Sequence, residues 1–208
     1  MPAFAAALLL TVSGSGQALA QQVSNLPVVQ AVVRTATGTT TTSAAATVAP
    51  GSADAIAREA SWLQRAGWPL YALVDKFSAG APLTDQANCI AVAVYHEARG
   101  ESLEGQLAVA KVIMNRAASG KYPTSWCGVV KQPWQFSFVN PRSGYMPSVD
   151  ETSASWRKAL GVTRLAIANA VPSVSNDCLW YHADYVAPSW GRRLTRVEKI
   201  GAHIFYRS

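Results

Sequence analysis

The stretch from Cys89 to Gly100, CIAVAVYHEARG, constrains this chain more than any other. Cys89, Ile90, Ala91, Val92, Ala93 and Val94 leave no polar side at helical spacing. A helix that is apolar all round has to be buried, so the stretch predicts a central helix with other elements packed around it. Thr84 is placed to cap its first turn and Asp85 to complement the positive end of its dipole. The helix runs to about Arg99, with Gly100 expected in the left-handed conformation that ends many helices. Its last turn changes character, because His96, Glu97, Arg99 and then Glu101 follow the apolar run without a linker.

The flanking sequence predicts a mainly α fold with a small β element near the C-terminus. Ser52 to Lys76 reads as helical, with Ile56, Ala60 and Leu63 at helical spacing and an interruption at Trp68-Pro69. A second core helix starts at the cap Ser102, carries Glu104 in its first turn, and runs through Leu107, Ala110 and Met114 to Asn115-Arg116. Another spans about Thr152 to Asn169. The tail segments CLWYHADYV and RVEKIGAHIFYR are aromatic and β-branched, which predicts short strands with a hairpin around Gly201.

The N-terminus reads as an export signal over residues 1–20, with a short apolar core and the small-residue site ALA at 18–20. The core is too short to span a bilayer, which takes roughly 20 apolar residues. Residues 21–51, centred on TATGTTTTSAAATVAPG, have no periodic apolar face and are expected to be a flexible linker. Residues 52–83 are expected to be an accessory helical segment, and 84–208 the main domain. The formal charge of +6 favours an anionic partner such as an acidic wall polymer, whereas the lack of a dense Lys/Arg block argues against nucleic acid. In an exported chain three cysteines, Cys89, Cys127 and Cys178, imply one disulfide and one leftover thiol, with the pairing open.

Glu97 falls in line with Ile90 and Val94, so it continues the buried stripe. Burial and the negative end of the helix dipole both disfavour its ionised form. A carboxyl that keeps its proton near neutral pH is what a general acid requires. Glu101 is either the second carboxylate of a glycosidase pair or a residue supporting the next helix, the latter being preferred. HEARG begins like a zinc-binding HExxH, but Gly100 stands where the second His belongs, so no metal and no cofactor are expected. No GxSxG occurs. Trp134, Phe136 and Phe138 alternate with Gln135 and Ser137, and Trp180, Tyr181, His182, Tyr185 and Trp190 form a second aromatic cluster. Flat aromatic faces with polar groups between them suit a sugar-binding cleft, which makes Gln135, Ser137, Tyr181 and His182 candidate binding residues. Phe136, Phe138 and Phe205 are expected in the core.

The blocks YHEARGESLEGQLAVAKVIMNR, YPTSWCGVV, QFSF, YHADYVAPSW and IGAHIFYR, in that order over about residues 84–208, resemble the SleB-like cell-wall hydrolases, the spore cortex-lytic enzyme family. The resemblance implies a lysozyme-like, lytic-transglycosylase-like helical domain acting on peptidoglycan glycan strands. It implies that Glu97, the first Glu of EARGE, is the catalytic acid, and that the bond cut joins N-acetylmuramic acid (MurNAc) to N-acetylglucosamine (GlcNAc). Glu101, Gln135, Ser137, Tyr181 and His182 then become substrate-binding candidates. The alternatives are a hydrolytic muramidase using Glu101, an amidase, or a wall-binding module without catalysis. A monomer acting in the periplasm or cell envelope, restrained by an envelope partner, is the expected setting.

Overall fold

The computed structural model describes residues 51–208. The expected signal segment and nearly all of the expected linker lie outside the described residues. Six α-helices and three strands are present among those described. They are α1 (Ala53–Arg65), α2 (Leu70–Lys76), α3 (Asp85–Ala98), α4 (Leu103–Ala118), α5 (Trp126–Val130), α6 (Ala154–Ile167), β1 (Cys178–Ala183), β2 (Thr195–Ile200) and β3 (His203–Arg207). None of these helices is long and apolar enough to cross a membrane.

The central helix is α3, as its sequence demands. Ile90, Ala91, Ala93 and Val94 have no solvent exposure. Helices α4, α5 and α6 pack around it. Complete burial of a Leu, Ile or Phe side chain stabilises the fold by about 1.5–3 kcal/mol, so this one helix anchors much of the core. The Thr84 hydroxyl accepts from the Ala87 N–H at 3.3 Å, and Ser102 and Ser153 cap α4 and α6 in the same way. Helices α1 and α2 join the same core through Ile56, Ala60, Leu63, Leu73, Val74 and Phe77. Helix α6 approaches α2 so closely that a Cβ on Gly161 would run into the Val74 carbonyl. The short α5 was not anticipated from sequence. Its Cys127 is bonded to Cys89 of α3, and Cys178 remains as a buried free thiol.

One expectation needs correcting. Gly100 does not adopt a left-handed conformation. The chain leaves α3 with Arg99 still in helical geometry, and the Glu101 N–H donates to the Ala98 carbonyl at 2.9 Å. A tight turn closed by the next residue's amide makes the left-handed glycine unnecessary.

The C-terminal sheet is antiparallel in the order β1-β3-β2. It is seated on α4 by a small cluster of Ala108, Val112, Val174, Cys178 and Phe205. Polar pins reinforce the seat: Asn115 Nδ2 donates to the carbonyls of Ser175 and Cys178 at 2.9 and 3.0 Å. A bulge between Cys178 and Trp180 shifts the register of β1 against β3 and re-aims the side chains beyond it. The β2–β3 turn passes through Gly201 at φ +56°, where a hairpin was expected.

Candidate active site

A cleft of about 690 Å³ opens between the C-terminal end of α3, the loop after α5, and the edge strand β1. Helix α3 contributes His96 and Glu97, α4 contributes Arg116, and the loop contributes Trp134, Gln135 and Ser137. Strand β1 and its flanks contribute Trp180, Tyr181, His182, Tyr185 and Trp190. Four of the candidates from sequence (Gln135, Ser137, Tyr181 and His182) therefore share one cleft with Glu97. Segments far apart in sequence meet here because the sheet folds back onto α4.

Glu97 is the only carboxylate among the lining residues. It is half-buried, and among the described residues no protein group donates to it. Burial raises its proton affinity above the usual value near 4.5. Tyr181 lies beside it. Burial first, and then the neighbouring Glu97 carboxylate, push the phenol's ionisation well above the ordinary range, so Tyr181 stays protonated and can donate. Its ring packs on Phe205 and edge-on to His203, with centroids 5.6 and 5.1 Å away.

His182 lines the cleft, but both its ring nitrogens already have partners. Nδ1–H donates to the Ala183 carbonyl at 2.8 Å, which leaves Nε2 to accept from the Tyr206 hydroxyl at 2.9 Å. The ring stacks on Tyr206 and meets Trp190 edge-on. It thus offers a fixed aromatic wall rather than a free hydrogen-bonding atom. Gln135 and Ser137 are exposed and make no side-chain hydrogen bond among the described residues, so their polar atoms remain available. Between them Phe136 is buried in the core, while Phe138 is half-buried and stacks on His96 at 5.0 Å. Trp134 is 85% exposed at the rim, with φ +67°. A non-glycine residue in this region is strained, and such strain is often held at functional sites.

Glu101 does not line the cleft, contrary to its place among the binding candidates. Its Oε2 accepts from the Ala202 N–H at 2.9 Å, and its Oε1 is 3.8 Å from His203 Nδ1. The carboxylate fills the space a Cβ on Gly201 would need. The turn after α3 directs Glu101 to the β2–β3 hairpin and Glu97 to the cleft. His203 itself lines the cleft, and burial lowers its proton affinity against the opposing pull of Glu101 and Asp184.

Sequence reasoning missed Arg116, Tyr122 and His203 as lining residues. Arg116 carried one usable signal: a cation two residues beyond Met114, at the end of an apolar stripe, has to find a special environment. Among the described residues no group of three or more His, Cys, Asp and Glu gathers at metal-binding distance. A separate groove of about 480 Å³ between α1, α2 and α6 is mainly apolar. Its one carboxylate, Glu59, is already paired with Lys76 at 2.8 Å.

This helical domain, with its single-carboxylate cleft, has clear relatives. The Cell Wall Hydrolase family model matches residues 100–206, just over half of the chain, and the chain belongs to the cell wall hydrolase family. The match begins three residues after Glu97. The chain is 38% identical over 121 residues to a spore cortex-lytic enzyme of Bacillus subtilis (strain 168), covering 56% of this chain and 35% of that protein. It is 34% identical over 116 residues to a spore cortex-lytic enzyme of Bacillus cereus, covering 56% of this chain and 42% of the relative. The chain therefore spans well under half the length of these curated relatives. Among solved structures, it is similar to the catalytic domain of the germination-specific lytic transglycosylase SleB from Bacillus anthracis. That match has 30% identity and a TM-score of 0.48, covering 62% of this chain and 100% of the other.

Proposed function

We propose that this protein cleaves the glycan strands of peptidoglycan between MurNAc and GlcNAc by lytic transglycosylation, with Glu97 as the one acid and base. The observation that carries this reading is that Glu97 is the sole carboxylate of a cleft otherwise lined by aromatic and polar side chains. Hydrolytic glycosidases of the common type need two carboxylates flanking the bond. Glu101, the nearest second candidate, is committed to the β2–β3 turn.

One carboxyl suffices if the sugar supplies its own nucleophile. Protonated Glu97 donates to the glycosidic oxygen as the bond to the muramoyl anomeric carbon breaks. The muramoyl 6-hydroxyl attacks that carbon, and its proton passes to the Glu97 carboxylate. The acid is thereby regenerated, and a 1,6-anhydro end forms without water. The raised proton affinity of Glu97 suits the first step, and Tyr181, which shares the cleft and keeps its proton, is a donor for the carboxylate formed in it in this reading. Trp134, Trp180 and Trp190 offer flat faces for the sugar rings, with Gln135 and Ser137 available to hydroxyl and acetamido groups. The Cys89–Cys127 disulfide supports work outside the cytoplasm, in the cell envelope.

Purified sacculi digested with the wild type should release anhydro-muropeptides, and Glu97→Gln should release them about 10³-fold more slowly. Reducing-end muramic acid would overturn the transglycosylase reading, and undiminished clearing by Glu97→Gln would overturn the role of Glu97.

A further inference from the structure

Arg116 lies in the last turn of α4 and is only 5% exposed. One edge of its guanidinium is committed, since Nε–H donates to the Leu179 carbonyl at 2.7 Å. Two tyrosine rings hold the group, with Cζ 5.1 Å from the Tyr122 centroid and 6.0 Å from that of Tyr181. These contacts account for Nε and for the packing of the side chain. They leave the two terminal amino groups, and Arg116 lines the catalytic cleft. Among the described residues no carboxylate forms an ion pair with it, Glu97 included. Nor does any described carbonyl other than that of Leu179 accept from it.

A buried cation without a counter-charge is costly, so such groups are normally paired. Glu97 does not fill this role, because no ion pair or hydrogen bond joins the two side chains among the described residues. What remains is a rigid, largely desolvated fork in the cleft wall with its outer donors unclaimed. Planar forks of this kind bind carboxylates with two parallel hydrogen bonds, which lysine cannot reproduce.

We propose that Arg116 is a carboxylate-recognition site, and that the carboxylate it takes is carried by the muramoyl residue of the glycan. The inference rests on the peptidoglycan reading above. Muramic acid differs from glucosamine by a lactyl ether on the sugar. On a bare strand that lactyl group ends in a free carboxylate; on a decorated strand it is amide-linked, and the nearest carboxylates belong to the stem peptide. The intervening N-acetylglucosamine carries neither. A fixed cation in the same cleft as Glu97 therefore sets which of the two alternating sugars lies on which side of the acid. It selects the MurNAc–GlcNAc bond over the GlcNAc–MurNAc bond.

The test reads binding in the Glu97→Gln protein by titration calorimetry, with two pairs of soluble tetrasaccharides. One pair is bare glycan with free or methyl-esterified lactyl groups. The other is peptide-bearing glycan with free or amidated peptide carboxylates. Neutralising the recognised carboxylate should weaken binding about 10- to 100-fold, the range for hydrogen bonds to charged groups. The pair that shows this loss identifies the source. Adding Arg116→Gln should abolish the discrimination, and Arg116→Lys should shrink it several-fold with the fold retained. Equal binding of charged and neutralised ligands in both pairs overturns the site, as does discrimination that survives Arg116→Gln. The ligand comparison in the Arg116-containing protein stands even if Arg116→Gln fails to fold. Failure of the functional reading looks different, because then neither pair binds at all or sacculus clearing persists without Glu97.

Discussion

The two ends of α3 are held in opposite ways. At the N-terminal end Thr84 caps the first turn, and the Gln86 side chain accepts from the Cys127 N–H at 3.0 Å. There the Cys89–Cys127 disulfide ties the helix to α5 covalently. At the C-terminal end there is no left-handed glycine cap, and no group among the described residues donates to Glu97. The Glu101–Ala98 backbone bond closes the turn, the Gln106 amide donates to the Glu101 carbonyl at 3.1 Å, and His96 Nε2 lies 3.3 Å from the Pro147 carbonyl. The helix is clamped covalently where it is anchored, and where it meets the cleft its carboxyl is the group left open. This is the pattern expected of a rigid scaffold presenting a reactive group, since an acid already bonded to the protein would have less to offer a substrate.

The sharpest way to break this contrast is to remove the open group. Glu97→Gln should lower the rate of glycan release by about 10³-fold, within the usual range for a general acid, while the protein still binds sacculi. Muropeptide release over time measures it. Next comes the anchored end. Replacing Cys89 and Cys127 together with serine opens a loop with a sequence separation of 38 and should cost about 3–4 kcal/mol of stability. Denaturant melts of the two forms should show it, and an unchanged midpoint would mean the clamp is dispensable.

The turn beyond the open end should matter less. Glu101→Ala strips the Ala202 N–H of its acceptor and should cost about 2 kcal/mol. Gly201→Ala should be more damaging in the wild type than in Glu101→Ala, because only the wild type has a carboxylate in the space of the new Cβ. Thermal melts of the four proteins separate the backbone penalty from the clash. The smallest effect concerns pH. Because burial raises the Glu97 proton affinity, the folded state holds this proton more tightly than the unfolded state does. Its contribution to stability is therefore present below the ordinary glutamate range and lost as pH rises through the raised value. Glu97→Gln should melt higher than the wild type at neutral pH, and the gap should close at acid pH. A gap that grows on acidification would mean that Glu97 is stabilised as the carboxylate.

Much of this was legible before the structure, and the limits follow from range. Helix α3 and the position of Glu97 on its buried stripe are local facts, carried by spacings of three and four residues. So are the serine and threonine caps. The preferred supporting role of Glu101 was legible as a helix-start position, but its actual partner, Ala202, lies 101 residues away. No local rule reaches that far. The same holds for the disulfide: three cysteines allow three pairings, and only the packing of α5 on α3 selects one. His182 shows a subtler limit. A polar ring among aromatics does need partners, yet here Ala183 and Tyr206 supply them, so residue type alone could not assign it to a ligand. For Arg116 local spacing gives only its place at the end of a core helix, because its environment is created by Leu179, Tyr122 and Tyr181 together.

The bond from Ala202 to Glu101 also bears on when this molecule can act. Contacts between residues a hundred apart form late, because the chain must close a long loop before they repay its entropy. The helical core around α3 draws on elements that precede β1, whereas the cleft lacks a wall until β1 and β3 have paired on α4. A chain interrupted before β3, by a protease or by incomplete synthesis, would carry Glu97 on a nearly complete core with no groove to hold a glycan. In the proposed reading, the acid and the groove that presents a glycan to it are thus built from separate stretches of the chain, and losing β3 removes the second while sparing the first.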